Sequence, residues 1–202
     1  MRQGGGMPAS VAAVSLRDIT KVFGAVRANN GISLDIHAGR IKALLGENGA
    51  GKSTLMSILA GHYLPDSGEI LIDGQPRSLR TTKDAIKAGI GMVYQHFMLV
   101  EAMTVAENVF LGQEPGFFLS PRAMREQVRI LAQGFGLDID PAARVADLSM
   151  GEKQRVEILK LLQRKSRILI FDEPTAVLTP QESEQLFAAL RSMAAQGKAI
   201  VY

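Results

Sequence analysis

The chain has 202 residues, 47% hydrophobic and 21% charged, a balance that suits one globular domain with a single substantial core. It contains no cysteine, which excludes disulfides, thiolate catalysis and cysteine-held zinc or iron–sulfur centres, and suits a reducing compartment. The net charge of +3 is scattered, with no block of like charges of the kind that marks a nucleic-acid tail, so no nucleic acid is expected as a partner.

Residues 1–10, with Gly4, Gly5 and Gly6, read as a flexible tail that lacks the apolar core of a signal peptide. Val11 to Ile36 reads as short strands with turns at Phe23-Gly24 and Asn29-Asn30-Gly31. Ile41 to Leu45 is a short apolar run, expected as a buried strand, that ends at a glycine-rich turn. Lys52 to Ala60 reads as a helix stopped by Gly61. Strand patterns at Ile70 to Ile72 and Ile90 to Tyr94 flank a helix over about Thr82 to Ala88. From Thr104 to Arg164 the pattern is helical, interrupted at Gly112, Pro115-Gly116, Gly134 to Gly136 and Pro141. A strand at Ile168 to Phe171, a helix at Pro180 to Ala195 and a strand at Ala199 to Tyr202 complete the chain.

This alternation predicts an α/β fold: a mostly parallel sheet covered by helices, with N-terminal antiparallel strands. One domain is expected over residues 11–202, and the helix-only stretch at about 96–165 reads as a helical subdomain inserted into it. No apolar run approaches the length that spans a bilayer. Work at a membrane would therefore require docking onto another subunit.

Gly46-Glu47-Asn48-Gly49-Ala50-Gly51-Lys52-Ser53 matches the phosphate-loop pattern G-x-x-x-x-G-K-[ST], placed after a strand and before a helix. Glycines let such a loop turn its N–H groups toward phosphate oxygens, and the helix start adds free N–H groups and a positive dipole end. Lys52 is expected to reach the β- and γ-phosphates and Ser53 to bind Mg²⁺, with Thr54 just inside the same helix. Asp172 and Glu173 end the apolar strand Ile168 to Phe171. In phosphate-loop enzymes an aspartate there holds the Mg²⁺ shell, and a neighbouring glutamate can act as general base toward water. An acidic pair can also simply mark a strand's exit into solvent, and only the company of the phosphate loop favours chemistry.

Leu148-Ser149-Met150-Gly151-Glu152 resembles the LSGGQ signature of ABC ATPases, with Met150 and Glu152 departing from the common form. Ser149 to Glu152 equally spells a capping box, which is compatible with that likeness. The resemblance covers the chain from about Val14 to Tyr202. It implies that Ser149 and Gly151 contact the γ-phosphate of ATP held by a partner domain. It also implies that Gln95 is the Q-loop glutamine, touching Mg²⁺ or water, and that Phe23 stacks on adenine, although a core role for Phe23 reads nearly as well. Thr179 stands where the family's D-loop usually carries aspartate, which puts coupling between subunits there in doubt. His37, His62 and His96 match no catalytic position. Because the family places a further histidine just beyond the strand on which this chain stops, an incomplete copy is expected, with weak or absent hydrolysis on its own.

Tyr94 to Val100, Thr104 to Val109 and Glu173 to Pro180 look like the ATPases of nucleoside and simple-sugar importers. The resemblance implies transmembrane permease subunits as partners, a second nucleotide-binding domain in the same chain or a homodimer, and indirectly a substrate-binding protein. It implies a peripheral position on the cytoplasmic face of the cell membrane. A soluble ABC ATPase, such as a ribosome-associated translation factor, and a regulatory module that only binds nucleotide are the competing readings.

Overall fold

A computed structural model describes residues 11–47, 49–112 and 120–202. The expected tail, Asn48 and Pro115-Gly116 lie outside these residues. Strands β1 (Val14–Phe23), β2 (Val26–Ile36), β4 (Ser67–Ile72) and β5 (Gln75–Pro76) form an antiparallel sheet in the order β2-β1-β4-β5. Strands β3 (Ile41–Lys42), β6 (Ile90–Val93), β7 (Ile168–Phe171) and β8 (Ala199–Val201) form a parallel sheet in the order β3-β8-β7-β6. The helices are α1 (Lys52–Leu59), α2 (Thr82–Lys87), α3 (Val105–Phe110), α4 (Pro121–Phe135), α5 (Met150–Gln163) and α6 (Pro180–Ala195).

The parallel sheet is buried on both faces, which explains why β7 is apolar at every position. Ile168 and Ile170 point toward α1 and the antiparallel sheet, packing with residues such as Ile58, Leu16 and Ile70. Leu169 and Phe171 point the other way, into a cluster with Val109, Val128, Leu159 and Leu190 of α3 to α6. Each such fully buried side chain contributes roughly 1.5–3 kcal/mol of transfer free energy. The helices between β6 and β7 thus share a core with one face of the sheet.

Three sequence expectations are corrected. Asn29 to Gly31 do not turn the chain; they run within β2, where its register against β1 shifts. The other expected turn, at Phe23-Gly24, does close the hairpin, with Gly24 at φ of 56°. The run from Ile41 to Leu45 is not a buried strand, because β3 stops at Lys42 and Leu45 is 91% exposed. Among the described residues β3 pairs only with β8, so this edge position gives its apolar residues little to pack against. Helix α4 runs through Gly134 and ends at Phe135, capped by Gly136 in the left-handed region. The boundaries of α6, from Pro180 to Ala195, follow the sequence pattern because Thr179 and Glu182 form a reciprocal cap.

Candidate functional site

Three segments singled out in the sequence leave the carboxyl ends of strands of the same parallel sheet: the phosphate loop after β3, Gln95 after β6 and Asp172-Glu173 after β7. In open α/β sheets this edge is where ligands bind. Gly49 and Gly51 have φ of 83° and 84°, a region costly for residues with a Cβ. At Gly51 a Cβ would lie 2.0 Å from the Ala28 carbonyl oxygen, so the close approach of β2 also demands glycine.

The start of α1 is built differently from the other helices. Thr81, Thr104, Ser120, Ser149 and Thr179 cap α2 to α6 with their side chains, whereas Gly51 gives α1 no such cap. The first N–H groups of α1 have no intrahelical acceptor and remain available to an anion. Lys52 Nζ curls over the same loop and donates to the carbonyls of Gly46 at 2.6 Å and Glu47 at 2.8 Å. A cation above free amides is an arrangement that suits a polyphosphate.

Ser53 Oγ donates to Asp172 Oδ1 at 3.0 Å, joining the phosphate loop to the end of β7. Among the described residues no three His, Asp or Glu side chains gather to hold a metal by themselves. Ser53 Oγ and Asp172 Oδ1 are hard oxygen donors of the kind that magnesium takes in small number, its shell completed by water and phosphate. Gln95 Nε2 donates to Glu173 Oε2 at 3.5 Å, a long contact between two exposed side chains. Glu173 has φ of 48°, unusual for a residue with a side chain and a form of strain that clusters at functional sites.

The remaining predicted residues lie apart from this group. Phe23 is 41% exposed and packs edge-on against Tyr63, with ring centroids 5.2 Å apart, so it is not a core residue. Lys21 Nζ lies 5.4 Å from the Phe23 ring centroid. Ser149 is exposed and caps α5, exchanging bonds with Glu152. Gly151 is buried, and its N–H donates to Glu182 Oε1 at 3.2 Å. A Cβ there would meet that carboxylate oxygen at 2.6 Å, so a larger residue would require the Glu182 side chain to move. The Glu182 carboxyl is held below its ordinary pKa, first by the Thr179 N–H and hydroxyl and then by the Gly151 N–H.

The sequence reading missed Asn29. It is 4% exposed, and its Nδ2 donates to the Gly51 carbonyl at 3.1 Å, bracing the phosphate loop from β2. Nothing local in Asn29-Asn30-Gly31 reveals this contact, which spans 22 residues of sequence.

A family profile described as ABC transporter matches residues 29–176. The chain is 47% identical over 190 residues to the guanosine import ATP-binding protein NupO of Bacillus subtilis (strain 168), covering 93% of this chain and 37% of that protein. It is 45% identical over 193 residues to the arabinose import ATP-binding protein AraG 1 of Burkholderia lata, covering 95% of this chain and 38% of that protein. Among solved structures, cbiO1 from Clostridium perfringens, part of the ABC transporter complex cbiONQ, superposes with a TM-score of 0.79. That match is 29% identical and covers 94% of this chain and 76% of that one. The chain spans well under half the length of the two import proteins it matches.

Proposed function

Because this chain belongs to the ABC transporter family, we propose that it binds and hydrolyses Mg·ATP to energise an importer of nucleosides or simple sugars. The observation that carries the proposal is the 3.0 Å contact of Ser53 with Asp172, which brings the phosphate loop and the acidic strand end to one place. The names of the guanosine and arabinose import relatives support the substrate classes.

In this reading Gly46, Glu47, Asn48, Gly49, Ala50, Gly51 and Thr54 wrap the phosphates with backbone groups, and Lys52 exchanges its two carbonyl partners for phosphate oxygens. Ser53 and Asp172 would hold magnesium, with Gln95 available to it or to its water. When bound, magnesium neutralises charge on the phosphate oxygens. Glu173 accepts a proton from the attacking water, or orients it, and Gln95 fixes the Glu173 carboxylate. Phe23 takes one face of the adenine. Ser149 and Gly151 meet the nucleotide of a second nucleotide-binding domain, for which Glu182 must release the Gly151 amide.

No helix among the described residues is long and apolar enough to cross a membrane. In this proposal the chain sits peripherally on the cytoplasmic face of the membrane, docked onto transmembrane permease subunits, with a substrate-binding protein acting indirectly through them. The test is uptake of labelled guanosine and arabinose by cells carrying Lys52→Ala in the full-length protein. Loss of one uptake identifies the substrate class, and unchanged uptake of both overturns the importer reading.

A further inference from the structure

Helix α5 carries three polar side chains on its buried side, Gln154, Glu157 and Lys160, exposed by only 4%, 4% and 9%. Their spacing of three residues places them along one face. Gln154 Nε2 donates to the carbonyl of Pro174, the residue directly after Glu173, at 2.8 Å. Glu157 Oε1 accepts the Met98 N–H at 2.8 Å, and Lys160 Nζ donates to the Met98 carbonyl at 2.7 Å. Met98 lies three residues after Gln95 in a stretch without regular structure. Both its backbone groups are thus held by charged side chains of one helix.

A buried ion pair is an expensive way to close a loop, because two charges must leave water. Here the pair is not chiefly self-serving. Lys160 and Glu157 are 3.3 Å apart, farther than either is from the Met98 backbone. Both charges converge on one peptide segment, and the apolar remainder of Met98 is left 67% exposed. The same helix grips the strand end that carries Glu173. The long Gln95–Glu173 contact therefore joins two side chains on segments that α5 holds nearby, at Met98 three residues after Gln95 and at Pro174 directly after Glu173.

We propose that Gln154, Glu157 and Lys160 are positioning residues that set Gln95 against Glu173 and tie that pair to the helix begun by Ser149. Loss of these holds loosens the Gln95–Glu173 pair, so turnover suffers while nucleotide affinity does not. The inference rests on the ATPase reading of the site.

The test compares the full-length protein with the double variant Glu157→Leu/Lys160→Met, which removes both charges together and avoids a stranded one. ATP turnover and amide hydrogen exchange are measured on both. We expect the Met98 amide to exchange freely in the variant, kcat to fall about 10- to 100-fold, and KM for ATP to stay within about twofold. Gln154→Met, which leaves the ion pair intact, shows the same split and decides the matter if the double variant does not fold. A kcat within twofold of the parent, or a KM that rises in step with lost turnover, overturns the inference alone. An unsubstituted protein that protects Met98 yet turns over no ATP removes the ATPase reading, and this inference with it.

Discussion

Ser53 and Asp172 stand 119 residues apart in sequence, yet the hydroxyl of one donates to the carboxylate of the other at 3.0 Å. The contact exists because β3 and β7 are parallel, with β8 between them, and both end at the same sheet edge. On the proposed reading, these two hard oxygens would hold a divalent cation on which turnover depends. Asp172→Asn is expected to raise the magnesium concentration for half-maximal turnover by about tenfold or more, equivalent to about 1.4 kcal/mol. Titration of ATPase rate against magnesium, with ATP binding in EDTA as the control, checks this. A changed affinity in EDTA would show general damage instead.

Among the described residues, Lys52 carries the only side-chain cation placed on the phosphate loop. Lys52→Ala removes a charge-assisted contact of about 1.5–3 kcal/mol, which corresponds to roughly 10- to 100-fold weaker ATP binding. Isothermal titration calorimetry measures it. The fold should persist, since the side chain lies on the exposed loop and its loss opens no cavity.

Gly51→Ala acts on both stability and binding. The new methyl would sit 2.0 Å from the Ala28 carbonyl oxygen at φ of 84°, and its neighbour there is backbone. Overpacking of this kind costs about 1–3 kcal/mol. At about 2–4 °C per kcal/mol for a chain of this size, calorimetry should record a clear drop in melting temperature. ATP affinity should fall with it, because Asn29 braces the loop through the Gly51 carbonyl.

Glu182 gives a pH signature. Its carboxyl is depressed by Thr179 and then by the Gly151 N–H, so its bonds stabilise the fold above the unfolded-state pKa. That contribution is lost as pH falls through the lower folded-state value. Melting temperature should decline below about pH 4, more gently in Glu182→Gln than in the parent. The difference between the two profiles, followed by circular dichroism, isolates this group from the other carboxylates.

How much of this was legible depended on the range of the interaction. The phosphate loop, Asp172-Glu173 and the cap at Ser149 are local, and sequence placed each of them on the element where it lies, whereas the cap at Thr179 emerged only in the structure. Sequence likeness alone pointed to Gln95, and only the structure shows it touching Glu173. Asn29 read as a turn because Asn-Asn-Gly has turn chemistry, yet its partner is the phosphate loop. Nothing in the local pattern singled out Gln154, Glu157 and Lys160, because their partners are backbone groups 20, 59 and 62 residues away. The close approach of Gly151 to Glu182 depends on α5 meeting the start of α6, which no local pattern announces.

The central claim is that Glu173 drives hydrolysis of ATP held by the phosphate loop, and Glu173→Gln tests it most directly. Binding of radiolabelled Mg·ATP and release of phosphate would be measured on the full-length protein and the variant. The account predicts unchanged or tighter ATP retention with turnover reduced by about 10²- to 10⁴-fold, the usual contribution of a positioned general base. Turnover equal to that of the parent, with ATP still bound, would contradict it.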